Sequence, residues 1–282
     1  MILFSIQLLL TAVTAILFII FIPYPTGLLG VLTVIGVALA AFFAVFVFYV
    51  IFTVIYIYAN TKTNPKCMAK HRLYNEIGVY LFNVWLRVRL KITGRENLPK
   101  TNRFVAFANH SEYTDPVFLK RVVKDYPVAF IAKEELFHYP VLKNLMLSAG
   151  CIPLFRGMDR KGLQAIIDAI NAVKEGQPMA IFPEGTRSYS NQMIPFKAGS
   201  FKVVLKAHAD ILPVCLYNMQ GVLNWKRFKI HTAYLHVCPV IPYDTFKDMD
   251  TNAISTMVQG IIQNQLDQYE GMMKTKRHAK GK

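Results

Sequence analysis

Charge is missing from the start of this chain: the first 61 of its 282 residues include no Asp, Glu, Lys or Arg, and the first charged side chain is Lys62. Acidic residues stay scarce afterwards, 17 against 32 Lys plus Arg, so the whole net charge of +15 belongs to the part that follows the uncharged run. Only four cysteines occur, Cys67, Cys151, Cys215 and Cys238, with no C-x-x-C pair. Such spacing argues against a disulfide framework or a thiolate zinc site and agrees with a reducing compartment. No G-x-S-x-G turn is present, which removes the usual setting of a serine nucleophile. Apart from His110, the histidines (His71, His138, His208, His231, His236 and His278) show no H-x-x-x-H or H-E-x-x-H spacing, so a metal-dependent hydrolase finds no ligand set. Repeats, low-complexity segments and long linkers are also lacking, which leaves the charged part as one domain.

What is present begins with hydrophobicity. Residues 1–22 are long enough to cross a hydrocarbon core of about 30 Å. "PYPTG" at 23–27 breaks the helix, and a second uncharged run extends from Leu28 to about Ala59. A signal peptide would need a basic n-region, which the chain does not have. The pattern predicts a transmembrane helical hairpin over 1–60. Lys62, Lys66, Lys70, His71 and Arg72 crowd its exit, so the positive-inside bias predicts an integral membrane protein with the rest of the chain on the cytoplasmic side. Excess positive charge suits nucleic acid, anionic headgroups or acidic small substrates, and a membrane anchor favours the last two over nucleic acid.

Over 61–90, Leu73, Ile77, Tyr80, Leu81, Val84 and Val88 recur at helical spacing and predict a linking amphipathic helix on or near the membrane surface. The period then changes. "VRLKITG" alternates like a half-exposed strand, while "FVAFA", "VAFIA", "MAIF" and "ILPVCL" are the short apolar runs of buried strands. Leu163, Ile166, Ile167, Ile170 and Val173 mark a helix between strands, closed by Gly176, and another helix is expected from Thr251 to Tyr269. Strands alternating with helices predict an α/β domain over 91–273, with a mixed sheet flanked by helices, followed by a mobile basic tail at 274–282.

Chemistry concentrates in "NHSEYTD". His110 follows a buried strand, where loops of α/β sheets carry function. Positions five apart do not share a helical face, so a turn must bring His110 and Asp115 together, and Pro116 favours a helix beginning there with Asp115 as its N-cap. Asp115 either only caps that helix or also holds the imidazole in one tautomer, leaving the other nitrogen as a base for a substrate hydroxyl. Farther on, "GCIPLFRG" ends with Arg156, and "IFPEGTRS" places Glu184, Gly185, Thr186 and Arg187 after another strand. Both arginines could grip phosphate oxygens, and Gly185 permits close backbone approach.

These segments, "NHSEYTD", "GCIPLFR", "FPEGTRS" and "ILPVCL", resemble in order and spacing the four blocks of the glycerolipid acyltransferases, most closely the 1-acylglycerol-3-phosphate acyltransferases. The likeness covers about residues 88 to 240 and includes "GRENLP" upstream of the first block. It implies a general base at His110 with Asp115 as partner, and a glycerol-phosphate site at Arg156, Glu184, Gly185, Thr186 and Arg187, with Lys133 of "AKEEL" beside the phosphate. Cys151 and Pro153 stand in the second block where the family varies. The substrates implied are lysophosphatidate and an acyl thioester, carried by coenzyme A or by acyl carrier protein, with no cofactor or metal and no acyl-enzyme. Backbone N–H groups at 115–118 are the candidates for stabilising the oxyanion. Another lysolipid as acceptor, or a non-catalytic protein recruiting anionic lipid, are the alternative readings. "NWKRFK", residues 224–229, is expected to face anionic headgroups beside the active site or to be a plain exposed loop.

Overall fold

The computed structural model describes residues 2–155, 160–224, 226 and 228–280. Two apolar helices come first, α1 (Ile2–Phe21) and α2 (Gly27–Ala59), both long and apolar enough to cross a membrane. They form an antiparallel hairpin tied together by two side-chain hydrogen bonds to backbone carbonyls. Gln7 Nε2 donates to Phe42 O (2.8 Å), and the Tyr49 hydroxyl donates to Leu3 O (3.1 Å). The tight turn between the helices leaves no room for a side chain at Gly30, where a Cβ would lie 2.1 Å from Pro25 O.

Helix α3 (Met68–Tyr80) continues through a wider turn at Leu81–Trp85. Its expected apolar face meets the hairpin: Leu73 and Ile77 line a cleft with Leu3, Phe48, Tyr49 and Phe52. Its opposite side is buried as well, at Lys70, His71, Asn75 and Gly78. The helix is therefore wedged between the hairpin and the rest of the protein, with only a narrow strip around Arg72 left exposed. Two buried faces are invisible to a period-counting argument, because the second one is polar.

The remaining elements are β1 (Val88–Thr93), β2 (Phe104–Ala108), α4 (Asp115–Val122), β3 (Ala129–Lys133), α5 (Pro140–Ser148), β4 (Ile152–Leu154), α6 (Arg160–Lys174), β5 (Met179–Ile181), α7 (Lys202–Ala207), β6 (Asp210–Tyr217), β7 (His231–Val237), α8 (Tyr243–Phe246) and α9 (Thr251–Lys280). The strands form one sheet in the order β1-β7-β6-β2-β5-β3-β4. All neighbours are parallel except β6 and β7. It is thus a mixed sheet. The α9 helix runs past Tyr269 and takes in the basic stretch expected to be mobile, as far as Lys280.

Helices cover both faces of the sheet. Val105 and Phe107 of β2 and Ile211 of β6 pack with Val173, Phe201, Ile254, Val258 and Ile262, from the α6, α7 and α9 side. The alternate residues, Phe104, Ala106 and Ala108 with Leu212, Val214 and Leu216, pack against Phe118, Leu119 and Val122 of α4. Burial on both sides explains why these strands read as continuous apolar runs. Because β2 to β6 point one way, the loops after β2, β3, β4, β5 and β6 all emerge at a single edge of the sheet. The antiparallel pair brings the start of β7, and with it the start of β1, to that same edge.

Candidate active site

At the end of β2 the chain is pinned before it turns. Asn109 Nδ2 donates to Leu216 O (2.8 Å), and Asn109 Oδ1 accepts from Leu216 N (2.8 Å). This exchange anchors the strand end to β6 and fixes the direction in which His110 leaves the sheet. The His110 ring lies over Phe182, with centroids 4.2 Å apart. Its backbone is held as firmly, since His110 N donates to Glu184 Oε1 (2.8 Å) and His110 O accepts from Ser188 N (2.9 Å).

The turn between 110 and 115 brings His110 Nδ1 to 2.8 Å from Asp115 Oδ2. Asp115 is fully buried, and the same oxygen accepts from Ser111 N (2.6 Å) and Glu112 N (2.9 Å). A carboxylate oxygen can only accept there, so Nδ1 carries the proton and Nε2 keeps a lone pair. Asp115 is not the N-cap. Thr114 takes that position, Asp115 is the first helical residue, and its carboxylate turns back to the preceding loop because three donors converge on it. Nor are the backbone amides at 115–118 available for an oxyanion. Asp115 N donates to Glu112 O, Val117 N and Phe118 N donate to Thr114 O, and Pro116 has no N–H.

Beyond β5, Glu184 is almost fully buried and does not present its carboxylate to a ligand. Oε1 holds His110 N, and Oε2 accepts from Ile194 N (3.1 Å). Burial pushes this carboxyl up to about 7, against the pull of the two amides and with a further push from Asp115. Geometry thus makes it a brace for the His110 loop, a correction to its expected place among phosphate ligands. Gly185 has φ +69°, and a Cβ on it would come within 2.6 Å of Lys197 Nζ, so the exposed Lys197 side chain lies along this backbone.

The Arg187 guanidinium carbon sits 3.4 Å from the centre of the Tyr113 ring and 5.3 Å from that of Tyr189. A residue of "NHSEYTD" therefore orients one of "FPEGTRS". Thr186 is exposed beside it. Lys133 is the last residue of β3 and pairs with Leu154 of β4, which places it on the same sheet edge. Arg156 lies outside the described residues, as do Trp225 and Arg227 of "NWKRFK". Among the described residues no group of three or more His, Cys, Asp or Glu side chains could hold a metal ion.

Sequence reasoning missed Asn109, Phe182 and Lys197. Asn109 sits in the first block, and its place between a buried strand and His110 was the available signal. Nothing in the sequence pairs Lys197 with Gly185.

A family model for acyltransferases matches residues 89–217. The chain is 29% identical over 188 residues to the 1-acyl-sn-glycerol-3-phosphate acyltransferase of Borreliella burgdorferi, covering 66% of this chain and 75% of that protein. It is 34% identical over 136 residues to a protein of the same description from Chlamydomonas reinhardtii, covering 48% of this chain but 40% of the algal one. The crystal structure of the 1-acyl-sn-glycerophosphate acyltransferase PlsC from Thermotoga maritima shares the fold, with a TM-score of 0.65 over 94% of this chain and 95% of that one, at 20% identity.

Proposed function

We propose that the chain, whose residues 89–217 match a family model for acyltransferases, moves a fatty acyl group from an acyl thioester to the sn-2 hydroxyl of lysophosphatidate, giving phosphatidate for phospholipid synthesis. The relatives are described as 1-acyl-sn-glycerol-3-phosphate acyltransferases. The observation that carries the reading is the 2.8 Å bond from His110 Nδ1 to the buried Asp115 carboxylate, at the sheet edge where five strands end.

In this mechanism His110 Nε2 takes the proton from the sn-2 hydroxyl as its oxygen attacks the thioester carbonyl. The oxygen–carbon bond forms, the carbon–sulfur bond breaks, and the thiol leaves with a proton. Asp115 stabilises the imidazolium while it exists, and no acyl-enzyme forms. Arg187, held over Tyr113, faces the acceptor phosphate together with Lys133, Thr186 and the Gly185 backbone, Lys197 adds a second lysine charge near them, and Arg156 is assigned to the same phosphate from its place in the sequence motif alone. Either coenzyme A or acyl carrier protein suits the basic surface as carrier of the acyl group. The α1–α2 hairpin spans the membrane and keeps the α/β domain on the cytoplasmic side, so the acyl chains of acceptor and product stay in the lipid. Leaving it would cost about 0.8 kcal/mol per CH₂.

The test is lipid extraction after incubating purified protein with lysophosphatidate and acyl-CoA, with and without chelator. Chelator-resistant phosphatidate is expected. His110→Ala should lower turnover by about 10²- to 10⁴-fold while leaving the protein membrane-bound. Activity within about threefold of wild type removes His110 from the chemistry.

A further inference from the structure

The segment between β6 and β7 is not used by the reaction, yet it stands at the same sheet edge as His110. Its base is rigid. His231 Nε2 hydrogen-bonds Asn218 O (2.7 Å), Asn218 Nδ2 donates to Thr232 O (2.8 Å), and Met219 and Val222 are fully buried. From that base the segment turns apolar side chains outward: Phe228 is 90% exposed, and Leu223 and Ile230 are also in the open. Lys226 and Lys229 lie exposed among them.

What stands beside this segment says what covers it. His231 N donates to Arg87 O (3.0 Å), so Ile230 neighbours the residues that lead into β1. Two positions earlier, Trp85 packs on the apolar hairpin, with ring centroids 4.5 Å from Phe46 and 6.1 Å from Phe42. The exposed segment is thus continuous with the surface where the α/β domain meets α2. Aromatic and aliphatic side chains mixed with lysines, next to an apolar helix pair, fit the headgroup layer of an anionic bilayer.

We propose that Leu223, Lys226, Phe228, Lys229 and Ile230 form a second membrane contact, which lays Phe228 and Ile230 into the interface and sets Lys226 and Lys229 against lipid phosphates. With the hairpin as one point of attachment, a second one fixes the tilt of the domain, so that the His110 edge faces the lipid. The proposal rests on the membrane reading of α1 and α2.

The full chain is tested in lipid nanodiscs. Cys67, the one cysteine that is not buried, is replaced by Ser, and an environment-sensitive fluorophore is placed on Phe228→Cys or, as a control, on Thr101→Cys at the opposite end of β2. Retained turnover shows each labelled chain to be folded. In discs containing phosphatidylglycerol, the probe at 228 should be quenched by nitroxide lipids and shielded from iodide, and the probe at 101 should show the reverse. Lys226→Gln with Lys229→Gln should lower the ratio of lipid to iodide quenching by up to roughly 30-fold, the equivalent of about 1 kcal/mol per lysine. Equal quenching at the two positions overturns the contact. Equal lipid quenching in discs of phosphatidylcholine alone overturns its anionic character. Shielding from iodide by added acyl carrier protein, without lipid quenching, gives the face to the donor's carrier and overturns the proposal. A chain that does not stay with the discs fails already at the hairpin and overturns both readings.

Discussion

Glu184 separates bracing from binding more sharply than any other residue of the site. If its carboxylate holds the His110 loop, Glu184→Gln keeps an acceptor for His110 N but turns an amide NH₂ towards Ile194 N. Turnover should then fall by about 10-fold or more with the KM for lysophosphatidate nearly unchanged, as expected when a loss of about 1.4 kcal/mol is confined to the transition state. A rise in that KM at constant turnover would return Glu184 to the phosphate site. Its proton affinity gives an independent check. The folded carboxyl titrates near 7 and an unfolded one near 4.5, so the native state binds the extra proton between those values, and stability should decline as pH rises across that window. Thermal unfolding of Glu184→Gln should lack that component. Arg187→Ala tests binding in the opposite sense: it removes charge-assisted bonds, each contributing about 1.5 to 3 kcal/mol. The KM for lysophosphatidate should rise, and the KM for the acyl donor should rise less. Movement of the donor's KM alone would assign Arg187 to the thioester's carrier.

Elements meet at α3, and three of the five basic residues at the hairpin exit are used there to hold the domain. Lys66 Nζ donates to Glu175 O (2.8 Å). The fully buried Lys70 donates to Ser148 O (2.8 Å) and Thr63 Oγ1 (3.0 Å). His71 Nε2 donates to Pro65 O (2.7 Å), while its Nδ1 accepts from Lys120 of α4, which also donates to Val128 O. Burial, and the Lys120 ammonium beside it, push the His71 imidazole down to about 3. An unfolded histidine takes up a proton near 6.5, so between about 6.5 and 3 the unfolded state binds the extra proton and the junction loses stability as pH falls. Thermal unfolding of full-length protein in detergent should show this acid-side loss. His71→Gln should be less stable at neutral pH but show a flatter acid limb, and an unchanged limb would remove His71 as its cause. Since α4 begins at Asp115, loosening this junction should also reduce turnover.

On the scale of the whole molecule, the proposed spanning hairpin is tested by where its turn lies. A spanning hairpin puts the turn at 22–27 across the membrane from Cys67. In sealed cells an impermeant maleimide should label Thr26→Cys from outside, and Cys67 should react only after permeabilisation, both read by peptide mass. Failure to label position 26 in intact cells, with labelling after permeabilisation, would mean that the helices enter only one leaflet.

By itself, the sequence determined the apolar hairpin, the α/β class, the buried strands and the identity of the His110/Asp115 pair. Each of these depends on local composition or period, or on a short motif whose order along the chain can be read directly. Only the tertiary structure decided how those pieces face one another. It turned Asp115 away from its own helix because Ser111 N, Glu112 N and His110 Nδ1 converge on one oxygen. It buried Glu184 against backbone amides from residues 110 and 194, contacts that no spacing rule links. It also turned exit cations inward against carbonyls at 148 and 175, partners supplied by distant stretches of chain. The physical reason is the same in each case. Polar side chains are committed by whichever donors and acceptors the fold brings within 3 Å, and parallel strands bring together residues far apart in sequence.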